Sequence, residues 1–299
     1  MLHIETIAEL RAACDAARVA GRRVGLVPTM GYLHEGHRSL IRAARRDSDL
    51  VVVTIFVNPL QFGANEDLDR YPRDLSGDLA ACVEEGADVV FAPGVAEMYP
   101  NGAPATTVRV ERLTGPMCGA ARPTHFDGVT TVVAKLFAIT GPCRAYFGRK
   151  DAQQLAVITR MAADLDLPVE VVGCPIVRDA DGLALSSRNA YLTPSQRQSA
   201  LVLSRALDRA ARAVIAGTRD PQSVVTLIEE FVATEPAVAL EYVEVRDAHD
   251  LEPVDALAGD VLLALAAHVG ATRLIDNVRL SVRDAEVSAD LGVISCSAP

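Results

Sequence analysis

The sequence lacks closely spaced cysteines, an excess of basic residues and any long apolar run. No two of its six cysteines form a C-x-x-C motif, so free thiols in a reducing cytoplasm are favoured over a zinc site. The net charge of −10 argues against binding of polyanions across a broad basic face, although a local pocket can still be basic. No segment approaches the roughly 18 apolar residues of a membrane span, and the first residues lack a signal-peptide pattern. We therefore expect a soluble, cytoplasmic protein that binds neither nucleic acid nor membrane.

Half of the 299 residues are hydrophobic, and apolar runs alternate with helical patterns through the first 176 residues. The predicted strands are 22–27, 50–57, 89–92, 144–148 and 169–173, and the predicted helices are 6–20, 77–85, 128–140 and 150–166, with a further helix after Gly31. This alternation predicts an α/β fold with a doubly wound parallel sheet. The stretch 94–124 is rich in Gly, Pro and Thr, and we expect loops with a small hairpin around Thr107–Val110.

The pattern changes after about residue 176. Two predicted helices, 194–216 and 221–234, precede two extended runs, 239–246 and 260–267. Helices followed by strands indicate a second, smaller α+β domain. We place the two domains at 1–176 and 177–299, and the sequence after about residue 281 carries no clear pattern.

Two histidines follow the first buried strand, which is bounded by Pro28. His34 and His37 are three residues apart, which on a first helical turn places both imidazoles on one face. Free backbone N–H groups and the positive end of the helix dipole make such a corner suitable for an anion. Taken alone, two ordinary surface histidines would be the simpler interpretation of this spacing.

Other polar residues follow the ends of predicted strands. Gln61 comes after the second strand and can both donate and accept hydrogen bonds, as a hydroxy acid would require. Lys150 lies where a strand turns into a helix, a position at which lysine opposes the helix dipole and therefore needs another reason. Gln154 shares a helix face with Lys150, and Asp151 is adjacent.

A later loop carries Ser186, Ser187 and Arg188, whose hydroxyls and planar guanidinium suit phosphate oxygens. A segment containing Arg122 and His125 precedes a predicted helix. It allows two interpretations, contact with phosphate or carboxylate, or a purely structural loop.

Together these segments resemble the pantothenate synthetase (pantoate–β-alanine ligase) family, in the nucleotidyltransferase superfamily with HIGH-type motifs. The similar runs are Pro28-Thr29-Met30-Gly31-x-Leu33-His34-x-Gly36-His37, Asn58-Pro59-x-Gln61-Phe62, Gly148-x-Lys150-Asp151-x-Gln153-Gln154 and Asp181 to Asn189. They occur in the family's order, and the likeness extends from Ile4 to Asn277. Arg149 and Ala152 depart from the family pattern, which most often has glutamate and an aromatic residue there.

The resemblance implies a role for each of these segments. The implied ATP-binding residues are Met30, His34, Gly36, His37, Gly148, Arg149, Lys150, Asp151, Val177, Leu185, Ser186, Ser187 and Arg188. The implied catalytic residues are His37, His34, Lys150 and Arg188. By the same likeness His37 is the proton donor toward the leaving phosphates, Gln61 and Gln154 bind pantoate, and Gln61 also binds β-alanine.

The implied activity is ATP-dependent condensation of pantoate with β-alanine through pantoyl adenylate, releasing AMP and pyrophosphate. The resemblance further implies a Rossmann-like first domain, a smaller lid domain, a homodimer, and Mg²⁺ with ATP. No protein residue is predicted as a metal ligand, although Asp78 is a possible contributor. The alternatives are a non-catalytic nucleotide-binding paralogue and a related nucleotidyltransferase, which would not need Gln61 and Gln154 together.

Overall fold

Six parallel strands form the central sheet of the first of two compact units. The computed structural model describes residues 1–63, 66–283 and 286–295. The first unit comprises residues 1–115, 119–149 and 157–174. Its strands are β1 (Leu2–Ile4), β2 (Val24–Thr29), β3 (Leu50–Ile55), β4 (Val89–Phe91), β5 (Cys143–Gly148) and β6 (Val169–Cys174). They are arranged in the order β1-β4-β3-β2-β5-β6, every neighbouring pair being parallel.

Helices cover both faces of this sheet. Along the chain they are α1 (Ile7–Val19), α2 (Glu35–Asp47), α3 (Leu75–Glu84), α4 (Val95–Met98), α5 (Cys118–Ala121), α6 (His125–Thr140) and α7 (Ala152–Asp164). Val27, Val53 and Val90 pack with Ile41 of α2 and Cys82 of α3 in one buried cluster. Because successive strand side chains point to opposite faces, alternate residues turn toward α1 and α6, which both contact β2. This arrangement confirms the predicted doubly wound sheet.

The prediction of a small hairpin around Thr107–Val110 is wrong, since no described residue in 94–124 belongs to a strand. Val108 instead pairs with side chains of α6: its N–H donates to Thr131 Oγ1 at 3.0 Å, and its carbonyl accepts from Thr130 Oγ1 at 2.5 Å. The hydroxyl groups of α6 thus satisfy the Val108 N–H and carbonyl, which the predicted hairpin would have paired with a second strand. Edge strand β1, too short for a pattern, was not predicted.

The second unit comprises residues 116–118, 150–156 and those from 175 onward. Its further elements are β7 (Val177–Arg178), α8 (Pro194–Ile215), α9 (Pro221–Val232), β8 (Val238–Asp247), β9 (Gly259–Val269), β10 (Thr272–Arg283), β11 (Glu286–Asp290) and β12 (Val293–Ile294). β11, β10, β9 and β8 form an antiparallel sheet in that order, and α8 and α9 bury their apolar faces with it. The predicted α+β character is confirmed.

Within the part of the chain that the structure describes, no helix is both long and apolar enough to cross a membrane. The same residues contain no group of three His, Cys, Asp or Glu side chains placed to hold a metal ion. Five cysteines are free thiols, as expected, and Cys296 lies outside the described residues.

Candidate active site

The carboxyl ends of β2, β3 and β5 define the edge of the first unit's sheet where a ligand is expected. β2 lies between β3 and β5, so the chain leaves β2 toward one side and later returns on the other. Open α/β sheets bind ligands at such a switch point. Met30–His37 follows β2, Asn58–Gln61 follows β3, and Arg149 follows β5.

The loop after β2 is fixed by a buried carboxylate. Gly31 and Tyr32 have φ values of +81° and +52°, a left-handed turn that glycine accepts easily and tyrosine does not. Asp78 of α3 supports it by accepting the N–H groups of Tyr32 at 2.9 Å and Leu33 at 2.7 Å. Burial raises the pKa of the Asp78 carboxyl, although these two donors act in the opposite direction. Both Asp78 oxygens therefore serve the loop rather than an obvious metal site.

The two histidines form the amino-terminal cap of α2. His34 is the N-cap residue, and its Nδ1 accepts the N–H of Gly36 at 3.1 Å. His37 Nδ1 accepts the N–H of His34 at 3.3 Å, so each ring uses Nδ1 as an acceptor. In a neutral imidazole the proton is then on Nε2. The ring centroids are 4.1 Å apart, so the two imidazoles lie side by side at the positive end of the helix dipole.

The Gln61 side chain is buried and held from two sides. Its Oε1 accepts from Asn58 Nδ2 at 3.2 Å, and its Nε2 donates to Met30 Sδ at 2.9 Å. Asn58 is fixed in turn, since its Oδ1 accepts from the Tyr99 hydroxyl at 2.8 Å. Burial raises the pKa of Tyr99 to about 12, which keeps this donor protonated at neutral pH. Met30 and Gln61, which follow neighbouring strands, are thus brought together.

The main-chain carbonyl of Gln61 accepts two hydrogen bonds from side chains at and just before the start of α6. His125 Nδ1 donates to it at 2.8 Å and Arg122 Nη2 at 3.2 Å. Arg122 also forms a two-point ion pair with Glu66, with Nε to Oε1 at 2.8 Å. Burial alone would raise the pKa of the Glu66 carboxyl, but the hydrogen bond and charge of Arg122 hold it below its usual value. In this structure Arg122 and His125 therefore support the Gln61 loop.

Gly128 allows α6 to approach this loop without an intervening side chain. A Cβ at position 128 would overlap the Leu60 carbonyl and the Gln61 nitrogen. The Gly128 carbonyl also accepts from Asn58 Nδ2 at 3.0 Å. Helix backbone and loop backbone are therefore in direct contact behind Gln61.

In the second unit, a buried network holds the backbone at Lys150. Lys150 lies in a single 3₁₀ turn, Arg149–Asp151, that precedes α7. Its carbonyl accepts from Asn277 Nδ2 at 2.8 Å. Asp276, the preceding residue, forms a buried two-point ion pair with Arg178 at 2.7 and 2.9 Å. β10 thereby fixes the main chain from which the Lys150 side chain extends.

In the same unit, the segment that leads to Ser186 and Ser187 turns back and runs antiparallel to β7. Val177 accepts the N–H of Leu185 at 3.0 Å, and Arg178 bridges Ala184 in antiparallel fashion. Ser186 then caps a 3₁₀ turn, Ser187–Tyr191, by accepting the N–H of Arg188 at 3.3 Å. Val177 and the Leu185–Arg188 segment therefore lie together.

The two glutamines at the start of α7 differ. Gln153 is buried, and its amide joins the short segment 116–118 by donating to the Pro116 carbonyl at 2.8 Å and accepting the Cys118 N–H at 3.0 Å. Gln154 is half-buried on the next helical position, and Asp151 is exposed. The first glutamine is thus structural within the second unit.

Comparison with known proteins gives one consistent result. The family model described as pantoate-beta-alanine ligase matches residues 2–279. The chain belongs to the pantoate–β-alanine ligase family. A pantothenate synthetase from Heliobacterium modesticaldum is 57% identical over 279 residues, which are 93% of this chain and 99% of the relative. Another, from Moorella thermoacetica, is 57% identical over 281 residues, covering 94% of this chain and 99% of the relative.

Solved structures of pantoate–β-alanine ligases agree with this assignment. A pantothenate synthetase from Thermus thermophilus has a TM-score of 0.88 and 49% identity, covering 93% of this chain and 98% of that one. A pantoate-beta-alanine ligase from Francisella tularensis, complexed with beta-gamma ATP and beta-alanine, has a TM-score of 0.73 and 30% identity, covering 93% and 97%. The family match includes every segment described above and ends before β11.

Three residues that shape the site of this family member have supporting roles that the sequence analysis did not predict. Asn58 and Asp78 orient Gln61 and the loop after β2, and Asn277 fixes Lys150. Asn58 had a local signal, an Asn-Pro pair directly after a strand. Asn277 had none, because β10 contains many polar residues and the burial of Asn277 is visible only in the fold.

Proposed function

We propose that this protein joins pantoate to β-alanine at the expense of ATP, by way of a pantoyl adenylate. Family membership at identities above half supports this reaction over a related nucleotidyltransferase or a non-catalytic paralogue. The structural observation that carries it is the pair of histidines that cap the start of α2, at the sheet edge that also carries Gln61.

In the first step, a pantoate carboxylate oxygen attacks the α-phosphorus of ATP. A new P–O bond forms, the bond from the α-phosphorus to the bridging oxygen breaks, and pyrophosphate leaves. His34 and His37 donate hydrogen bonds to phosphate oxygens as negative charge develops, and His37 is the proton donor toward the leaving group. Lys150 and Arg188 supply compensating positive charge.

The proposed ATP contacts come from several segments of the chain. Met30, Gly36, Gly148 and Arg149 belong to the switch-point edge of the first unit. Val177 contacts adenine, and Leu185 to Arg188 contact the phosphates. Asp151 accepts from the ribose hydroxyls.

In the second step, the β-alanine amine attacks the acyl carbon of the adenylate. A C–N bond forms, the C–O bond to AMP breaks, and pantothenate results. Gln61 and Gln154 orient pantoate, and Gln61 also meets β-alanine. The mixed anhydride is labile in water, so we retain the proposal that residues 177–299 act as a lid while residues 1–176 bind nucleotide and pantoate.

Mg²⁺ enters this proposal as part of the Mg–ATP substrate. Mg²⁺ usually keeps several waters and takes substrate phosphates with one or two carboxylates as ligands. A homodimer and a cytoplasmic location complete the proposal.

The test is pyrophosphate release from Mg–ATP, measured with pantoate alone and then with added β-alanine. We expect release that requires pantoate, with multiple turnovers only when β-alanine is present, and pantothenate as product. Binding of ATP without any release would favour the non-catalytic paralogue, and Arg149 would then be the first position to change back to glutamate. Release that ignores pantoate would favour another nucleotidyltransferase.

A further inference from the structure

Two short strands lie beyond the residues that the family model matches. The match ends at residue 279, whereas β11 and β12 occupy Glu286–Asp290 and Val293–Ile294. We call residues 286–295 the strap. β11 pairs antiparallel with β10, from Arg283 opposite Glu286 to Arg279 opposite Asp290. The strap is therefore anchored on the second unit's sheet before the chain reaches β12.

β12 pairs with one edge of β7, and the chain at Ala184 and Leu185 pairs with the other. On the strap side, the N–H groups of Val293 and Ser295 donate to the Ile176 and Arg178 carbonyls, each at 2.7 Å. On the opposite side, Leu185 donates to Val177 at 3.0 Å. The strap thus makes β7 a central strand between two partners.

Arg178 connects the strap to the same segment through its side chain. Its Nε donates to the Leu291 carbonyl at 2.5 Å, and its Nη1 to the Gly182 carbonyl at 3.2 Å. The Asp276 carboxylate fixes the guanidinium between them. One buried cation therefore holds both the strap and the turn that leads to Leu185.

The close approach of strap and β7 is built into the backbone. Gly292 has a φ of +84°, and a Cβ there would overlap the Ile176 carbonyl. The side chains of Val293 and Ile294 are 50% and 53% exposed, so β12 adds main-chain pairing rather than core burial. Its removal is expected to leave the core of the second unit intact.

We propose that the strap is a positioning element for nucleotide binding. This inference rests on the proposed function, in which Val177 meets adenine and Leu185 to Arg188 meet phosphate. β7 is only two residues long, and an isolated two-stranded pairing of that length is marginal in water. A second partner reduces the freedom of β7 and of the segment paired to it, so less ordering remains when ATP binds.

The experiment compares chains that end at different points. A chain ended after Gly292 lacks the β12 pairing but keeps β11, whereas a chain ended after Ser295 keeps both and is the matched control. The substitution Gly292→Ala disturbs the same contact within a full-length chain. Gly217→Ala is its control, because Gly217 also has a positive φ, of 116°, with nothing near its missing Cβ.

Loss of β12 is expected to raise KM for ATP by about threefold to tenfold, as the loss of one or two net hydrogen bonds would. We expect kcat and KM for pantoate to stay within about twofold, with the melting temperature little changed. Hydrogen exchange at the Leu185 amide should become faster both in the chain ended after Gly292 and in the Gly292→Ala variant. The chain ended after Ser295 should match the unaltered protein in every quantity. Gly217→Ala shares the backbone strain of a positive φ without the clash at Ile176, so it should match the unaltered protein in KM for ATP and in Leu185 exchange.

An unchanged KM for ATP with unchanged Leu185 exchange would overturn the proposal. So would a parallel loss of all kinetic parameters with the melting temperature, which would make the strap a general stabiliser. If the unaltered protein forms no pantothenate, the proposed function fails, and Leu185 exchange still decides whether the strap orders β7.

Discussion

The Asp78 carboxylate accepts the main-chain N–H of Leu33 at 2.7 Å. Its other oxygen accepts from Tyr32, so one buried side chain of α3 holds the loop that leads to His34. The loop that carries His34 and His37 is therefore positioned from behind by Asp78.

Asp78→Asn is expected to lower kcat/KM for ATP by about tenfold or more. An amide offers one acceptor oxygen, so one buried N–H loses its partner and faces another donor, at a cost of about 1–3 kcal/mol. Thermal unfolding and pyrophosphate release measure the effect. Asp74→Asn is the control on the same helix, because asparagine caps α3 as well as aspartate does. Equal effects from both substitutions would contradict this role of Asp78.

His37→Gln is expected to lower kcat by about 10²- to 10⁴-fold, as loss of an acid or charge-stabilising group does. Glutamine at the third helical position can still accept the N-cap N–H, so the melting temperature should hold. Steady-state kinetics with calorimetry measures both quantities. His3→Asn, an exposed histidine of β1, should change neither. A variant that keeps its kcat would remove His37 from catalysis.

Glu66→Gln is expected to lower stability at neutral pH and to lose that effect in acid. Folding holds the pKa of Glu66 below its ordinary 4.5, so the carboxylate stabilises the fold above that pH. The stabilisation is lost as pH falls through the folded-state pKa. Denaturant unfolding of both proteins should therefore show a constant difference from about pH 7 to 5 that shrinks below about 4.5.

The same substitution should raise KM for pantoate, because Arg122 then loses the partner that aims it at the Gln61 carbonyl. Glu84→Gln is the control, since it alters an exposed ion pair with Arg38. A stability difference that persists unchanged below about pH 4 would show that the Glu66 charge is not its source.

Asn277→Ala is expected to raise KM for ATP because the Lys150 carbonyl loses its buried donor. Asn277→Asp should do more damage, since it places an acceptor against that carbonyl and a charge in a buried position. Nucleotide binding by calorimetry and thermal unfolding separate the two effects. Unaltered ATP affinity in the alanine variant would mean that Lys150 does not need this support.

The buried strands were predictable because their signal is local. The runs before Pro28 and Asn58 are continuous and apolar, as strands covered on both faces must be. The two-residue strands β7 and β12 have no such signal, since their pairing depends on partners more than a hundred residues away. The hairpin predicted within 94–124 was wrong for a related reason, because hydroxyl groups of α6 take the place of the expected strand partner.

The site divides in the same way. Lys150 stands out because lysine opposes the dipole at the start of a helix, whereas His34 and His37 were singled out by their spacing and by the resemblance of their motif to the family. Asp78 does not stand out, since its importance lies in the backbone groups that it meets, and only the folded chain brings those groups together.

The contact between Gly128 and Leu60 has a consequence for redesign. Because main chain meets main chain there, the spacing between α6 and the Gln61 loop is set by backbone thickness, and no residue smaller than glycine exists to reduce it. Changes at Gln61 or Met30 can alter which hydrogen bonds a hydroxy acid finds, but the surface behind Gln61 will not recede. A variant for bulkier acids would therefore have to gain its room elsewhere along the sheet edge.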